Sequence, residues 1–447
     1  MTSIEIAAAA NQALPVNSRP LGLTPPDKPL HTLKPISPAP SPAPAVAGVV
    51  AAAKKESRVY VFTWVSDTGE ESAPSPVSQI ITIDPSKNGV SLSFPAIAVP
   101  AHVTTIRIYR TATAGSTTQF LLVGEIKGNP PALTTFNDRV KGSQLGPALA
   151  TQNHFPPPTN MKGISLLPNG IVAGFYKNVF CPSEVNLPYA YNPNNQLVTE
   201  WDIVAIGALP SGAVITTKGN PYLLQGYSPD SFNLLKLETS AACTNARSLV
   251  DMGSYVIYAS GRGLMLIQSG EPRNITDAMI TKEQWQAMNP ASIEAYQYAG
   301  LYVGFYNNGK TKGGFIIDPE AKDMTMLDFH ASAGFRLPEK EELYLVLDGE
   351  NSVKSFDKHS TNKLTSVWES KEFQTPPIKL RVAKVRGQNI AMTLTRNDKV
   401  IKTYQLGNDP EHVFKLPAGR GKRWKMKFEG VGHVENVQLA SSVMEAN

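Results

Sequence analysis

"VIYASGRGLMLIQSG", residues 256–270, decides how the chain is read. Its Gly261-Arg262-Gly263 invites comparison with a glycine-rich phosphate loop, which needs a strand before the glycines and a helix after them. The sequence offers no helix at that point. Leu264-Met265-Leu266-Ile267 is an apolar run of strand length, closed by the turn residues Ser269-Gly270-Glu271-Pro272. The glycines therefore read as the tip of a β-hairpin, and phosphate binding is the weaker reading.

The same outline recurs along the chain. Val214 to Leu224 aligns with the opening stretch, Gly219 standing over Gly261 and Leu223-Leu224 over Met265-Leu266. Ile171 to Phe180 repeats strand, polar tip and strand. Leu301 to Gly309 returns through Phe315 to Asp318, and Leu343 to Gly349 returns through Val353 to Phe356. The starts at 171, 214, 256, 301 and 343 are spaced by 43, 42, 45 and 42 residues. A period of this length built from short strands predicts four-stranded β-propeller blades. No blade covers its own apolar face, so the blades must stack. A closed ring of only five would be unusually small, and chain from either flank is expected to complete a further blade.

With 447 residues the chain has room for several domains, and 36 prolines and 33 glycines suit strands and turns better than helices. No apolar run reaches bilayer-spanning length, so no membrane insertion is expected. Residues 1–10 lack the pattern of a secretion signal, which predicts synthesis in a cytoplasm. Cys181 and Cys243 stand 62 residues apart with no C-x-x-C pairing and no nearby histidine, and are read as buried free thiols rather than zinc ligands. H-E-x-x-H, G-x-S-x-G and Walker patterns are missing from the sequence. No catalytic, cofactor-binding or metal-binding residue is nominated, no cofactor is expected, and the chain is read as a non-enzyme.

The predicted fold class is all-β, in four parts. Residues 1–54 form a proline- and alanine-rich arm, with nine prolines from Pro20 to Pro44 and a polyproline-like tract at 38–44. Such a segment has no core of its own and orders by lying on another surface, its own chain's or a neighbour's. Residues 55–150 hold strand patterns at 60–64, 79–83, 90–94, 105–110 and 120–123, which predict an antiparallel sandwich of the fibronectin type III or immunoglobulin kind. Residues 155–372 are the propeller-like part, with one helix signal: Thr281 as cap, Gln284 at the third position and Asn289-Pro290 as stop. Residues 373–447 return to alternation and predict a second sandwich.

The net charge of +5 is unevenly placed. From 375 to 427 there are thirteen Lys and Arg against Asp398, Asp409 and Glu411, a surplus of ten that leaves the rest of the chain near −5. Lys422, Arg423 and Lys425 are the candidate residues for facing a polyanion or an acidic neighbouring subunit. A structural account competes with this and is the stronger: in Arg423 to Phe428 apolar and basic residues alternate, which puts Trp424, Met426 and Phe428 in a core and the cations in water.

Several stretches together resemble one protein group. "YVFTWVSDTGEESAPSPVS" (60–78), "TTIRIYRTA" (104–112), "LLPNGIVAGFYKNVFCPSE" (166–184), "GNPYLLQGYSPDSF" (219–232) and "VIYASGRGLMLI" (256–267) are similar to the tail nozzle (tail hub) proteins of short-tailed bacteriophages. "LRVAKVRGQNIAMTLTRNDKVIKTYQL" (380–406) resembles their terminal β domain more loosely, and the proline-rich arm is not covered. The resemblance implies a virion subunit made in the bacterial host cytoplasm. It would repeat as a homo-hexamer around the DNA exit channel, with a portal-adaptor ring above and tail fibre or tail needle proteins below. It transfers no catalytic residues. The competing expectation is a glycan-binding or glycan-cleaving propeller with adhesion spacers, for which hydrolysis would need paired carboxylates. A third is a monomeric scaffold that binds peptides on a propeller face.

Overall fold

The computed structural model describes residues 3–5, 20–36, 55–111, 119–270, 272–357, 364–442 and 445. The polyproline-like tract at 38–44 lies outside them. The described structure is nearly all β, and the chain divides into two compact units, Ile4–Lys354 and one built on Ser355–Asn447.

The first unit opens with a sandwich. One antiparallel sheet pairs Tyr60–Ser66, Val103–Thr111 and Phe120–Lys127; the other pairs Thr32–Ile36, Gly89–Ser93 and Phe136–Asp138. Tyr60, Phe62, Trp64, Ile106 and Ile108 from the first meet Val90 and Leu92 from the second in one core. Strand Thr32–Ile36 comes from the expected arm, and Leu23 and Leu30 beside it are 3% and 2% exposed in that same core. Residues 20–36 thus pack on their own chain, because two leucines spaced along a proline-rich segment can fill the open side of a sandwich without regular structure of their own.

Five four-stranded sheets follow. Their second strands are Ile171–Tyr176, Gly212–Thr217, Val256–Ser260, Leu301–Asn307 and Glu342–Leu347, so the five recurring hairpins of the sequence each supply the same strand of a sheet. The first four sheets are each built from consecutive strands. The fifth combines Ala331–Leu337, Glu342–Leu347 and Ser352–Ser355 with a fourth strand, Ser3–Glu5, from the start of the chain. Neighbouring sheets share cores. Phe175 and Phe180 of the first meet Ile206 and Ile215 of the second. Val214 and Leu223 of the second meet Tyr258 and Ile267 of the third. Ile257 and Leu264 of the third meet Tyr302 and Phe315 of the fourth. Between the fourth and fifth, the Phe305 ring lies 6.0 Å from that of Phe329, and Lys312 Nζ reaches Asp348 Oδ2 at 2.5 Å.

The predicted helix is present as Lys282–Ala287. Thr281 Oγ1 accepts from Gln284 N at 3.2 Å while Gln284 Oε1 accepts from Thr281 N at 2.8 Å, the reciprocal capping box. Trp285 on this helix is 1% exposed and donates through Nε1 to Ser260 O at the hairpin tip, locking the helix over the third sheet.

The C-terminal unit departs from the expected second sandwich. It is one six-stranded sheet in which Val382–Arg396 and Gly421–Ala440 pair along nearly their whole lengths. The register shifts between Arg386 and Gly387 and again between Gln388 and Ile390, where the sheet folds over so that Val385 on one side and Met392, Trp424 and Phe428 on the other share a core. Glycine is required at this fold. A Cβ on Gly432 would sit 1.7 Å from Gln388 O, and one on Gly387 would sit 2.5 Å from His433 O. Strand Ser366–Glu369 pairs with Gly421–Ala440, so this sheet begins before the expected boundary at 373. Its pairing partner lies some sixty residues onward, which local pattern does not reveal.

Candidate assembly surfaces

Lys422, Arg423 and Lys425 sit on the strand Gly421–Ala440, alternating with Trp424, Met426 and Phe428, which are 2%, 6% and 2% exposed. The alternation thus puts Trp424, Met426 and Phe428 in the core, as expected. Acids from other strands answer the cations. Lys425 Nζ lies 2.7 Å from Glu369 Oε1, and Arg423 is held between Asp398 and Glu372, the latter at 3.9 Å. Glu369 and Glu372 fall just upstream of the basic stretch 375–427. Lys384 and Arg386 likewise share Glu411 at 3.4 and 3.9 Å. Arg396 lies over the Trp424 ring, 5.9 Å from its centre, and donates to the carbonyls of Pro417 and Ala418, which makes it a packing residue. Of the three nominated residues, Lys422 alone has no ion-pair partner among the described residues. Exposed pairs of this kind are worth about 0–1 kcal/mol, so they tune the surface without holding the fold.

The same sheet carries an apolar edge. Strand Ser366–Glu369 bonds Gly421–Ala440 on one side only, and Val367 and Trp368 are 58% and 54% exposed. Beside it lies an opening of about 340 Å³ lined by Trp368, Phe428, His433, Val434 and Val437 among others. An exposed, apolar edge strand is a surface that pairs with other chains unless it is covered.

A second apolar surface is set by strand alternation in the five-sheet region. In the first sheet Leu167 points toward the second sheet with Ile171, whereas Ile164 and Leu166 point the opposite way and are 65% and 68% exposed. In the fifth sheet Leu343 and Leu345 are fully buried, and a Cβ at Gly334 would meet both Leu345 and Tyr296 of the fourth sheet. The opposite face carries Phe335, 62% exposed, paired with half-buried Tyr344. The internal junctions of the series carry apolar side chains, while Ile164 and Leu166 on the outward face of the first sheet and Phe335 on that of the last stand in water.

Both cysteines are free and buried, and burial pushes the Cys181 thiol up to about 11, which keeps it protonated and inert at neutral pH. Among the described residues no three His, Cys, Asp or Glu side chains group as a metal site. No described helix is long and apolar enough to cross a membrane. The Gly261-Arg262-Gly263 tip is a tight turn joining Val256–Ser260 to Gly263–Ile267, as expected, with Arg262 N donating to Ser260 Oγ at 3.1 Å.

No family model and no curated protein matches the chain. Among solved structures, the chain is similar to a crystal structure of the tricorn protease, at 13% identity and a TM-score of 0.31, covering 58% of this chain and 30% of that one. It is also similar to the dihydro-heme d1 dehydrogenase NirN in complex with DHE, at 11% identity and a TM-score of 0.24, covering 72% of this chain and 77% of that one. A glycoside hydrolase structure aligns over 85% of this chain and 94% of its own at 10% identity, with a TM-score of 0.16. The chain thus spans under a third of the first of these, and none of the likenesses is close enough to carry an argument about function.

Proposed function

We propose that this protein is a structural subunit of a bacteriophage tail, a nozzle or hub protein that repeats head to tail around the DNA exit channel. In this reading the five sheets are the blades of a β-propeller, and the outward faces of the first and fifth sheets flank its seam. The observation that carries the reading is that Ile164 and Leu166 on one face and Phe335 on the other stay wet in the isolated chain. Two unlike apolar faces on one molecule suit a heterologous contact, which closes into a ring when the rotation between copies permits. A neighbouring copy docking at the seam would cover them.

The subunit's role is mechanical. Stacked sheets with shared cores make a stiff wall, and exposed cations already answered by acids of the same surface would let DNA pass without the strong phosphate pairing that would hold it. The portal-adaptor ring and the fibres or needle of the tail are its partners in this reading, and the apolar edge at Val367 and Trp368 is a surface of the kind they require. The test is a double variant, Ile164→Glu with Leu166→Glu, at positions already in water. The expected result is loss of rings, seen by native mass measurement, with an unchanged circular dichroism spectrum. Rings that persist undiminished in the variant would contradict the assignment.

A further inference from the structure

The N-terminal sandwich carries a basic opening away from the surfaces described above. Between the turn at 84–89 and the stretch at 139–142 is an opening of about 320 Å³, lined by Glu56, Arg58, Lys87, Arg139 and Lys141 together with backbone-rich turn residues. Four cations and one carboxylate face it.

Its floor is fixed. Arg58 is 2% exposed, donating from Nε to Glu56 Oε1 at 2.9 Å and from Nη1 to Asp138 Oδ2 at 3.2 Å. Neither bond uses Nη2. Asp138 is fully buried and also accepts from Tyr60 OH at 2.7 Å and from Arg110, so the guanidinium is anchored to the core of the sandwich. Val140 N donates to Asp138 Oδ1 at 2.9 Å, which pins the stretch that follows.

Two of its wall cations are unanswered. Residues two apart on extended backbone point to the same side, and Arg139 and Lys141 flank Val140 in this way. Both are exposed, and neither has an ion-pair partner among the described residues. Lys87, on the opposing turn, has only a 3.6 Å contact with Asp84. Glu56 is committed to Arg58. Arg139 and Lys141 thus stand beside a fixed guanidinium with no carboxylate of their own, and an entering anion would balance them.

We propose that this opening is a phosphate-binding site, with Arg58 as its rigid floor and Lys87, Arg139 and Lys141 closing on the oxyanion. Phosphate fits because it carries up to two charges and several acceptor oxygens, which Arg can engage in pairs. The opening is larger than a bare phosphate and so has room for one carried by something larger, either a phosphomonoester or a nucleic-acid backbone.

The test uses the full chain, with inorganic phosphate and a short DNA duplex as separate probes followed by titration calorimetry. The Arg139→Ala/Lys141→Ala double variant is expected to weaken binding by about tenfold or more, as loss of two charge-assisted contacts should. Lys127→Ala, which removes a cation outside the opening, should bind as the parent does. Both substituted surfaces are exposed, and unchanged thermal melts verify the fold. Binding of phosphate alone assigns a small phosphorylated ligand; binding of duplex with the same loss in the double variant assigns a nucleic-acid backbone. Binding of neither probe, or equal affinity in parent and double variant, overturns the proposal.

Discussion

The five-sheet region and the C-terminal sheet are both antiparallel β structure, yet they were built by different means. In the first, most strands find their partners within about ten to fifteen residues, and each sheet rests on the next through its own apolar cluster. In the second, two long strands pair end to end, and every other strand depends on them. Local units that add neighbour by neighbour tolerate damage piecewise, as repeat architectures do. A sheet organised by one long pairing fails as a whole.

The sharpest way to break this contrast is Gly432→Val. Its side chain would enter space held by the Gln388 carbonyl, at the point where the sheet folds over. Loss of the C-terminal unit's stability by more than about 4 kcal/mol is expected. Hydrogen exchange should show strands Val382–Arg396 and Gly421–Ala440 open while Val256–Ser260 stays protected; opening of both would show that the two units are not independent.

Trp285→Ala asks the converse question. Trp285 fills the core shared by the third and fourth sheets and bonds Ser260 O. A cost of about 3–5 kcal/mol is expected. The exchange rates should rise mainly at Val256–Ile267 and Tyr302–Ile317 and change little in the C-terminal unit.

Acid gives the smallest effect. Hydrogen bonding from Lys312, with His330 beside it, holds the Asp348 carboxyl below its ordinary value. A depressed carboxylate contributes stability above its unfolded-state value and loses it as pH falls through the folded-state value. Because this pair is partly exposed, the contribution is at most about 1 kcal/mol. Comparing Asp348→Asn with the parent at neutral pH and in steps below about pH 4, the ordinary carboxylate value, should show a difference that shrinks as pH falls. A difference that persisted would mean the pair does not link the fourth and fifth sheets electrostatically.

The contrast also explains what the sequence disclosed. The hairpin period was legible because each repeat carries its partner strand close by, so glycine or asparagine tips and apolar runs recur in phase. The Thr281–Gln284 cap was legible for the same reason, and so was burial of Trp424, Met426 and Phe428, which alternation alone decides. Pairing of Ser3–Glu5 with the fifth sheet was not, since a three-residue strand has no pattern and its partner is some 350 residues away. Nor were the acids Glu369 and Glu372 that answer Lys425 and Arg423, because they approach across strands far apart in sequence. Exposure of Ile164, Leu166 and Phe335 was also hidden: an apolar residue on a strand reads as core until the sheet it would face is known to be missing.

Imaging of the purified protein and of particles containing it, without imposed symmetry, tests most directly the proposal that this chain works as a repeated subunit. A closed ring of six copies about a channel wide enough for duplex DNA is expected, with Ile164, Leu166 and Phe335 covered at contacts between neighbours. A protein that stays monomeric at every concentration, with those side chains still in water, would contradict it.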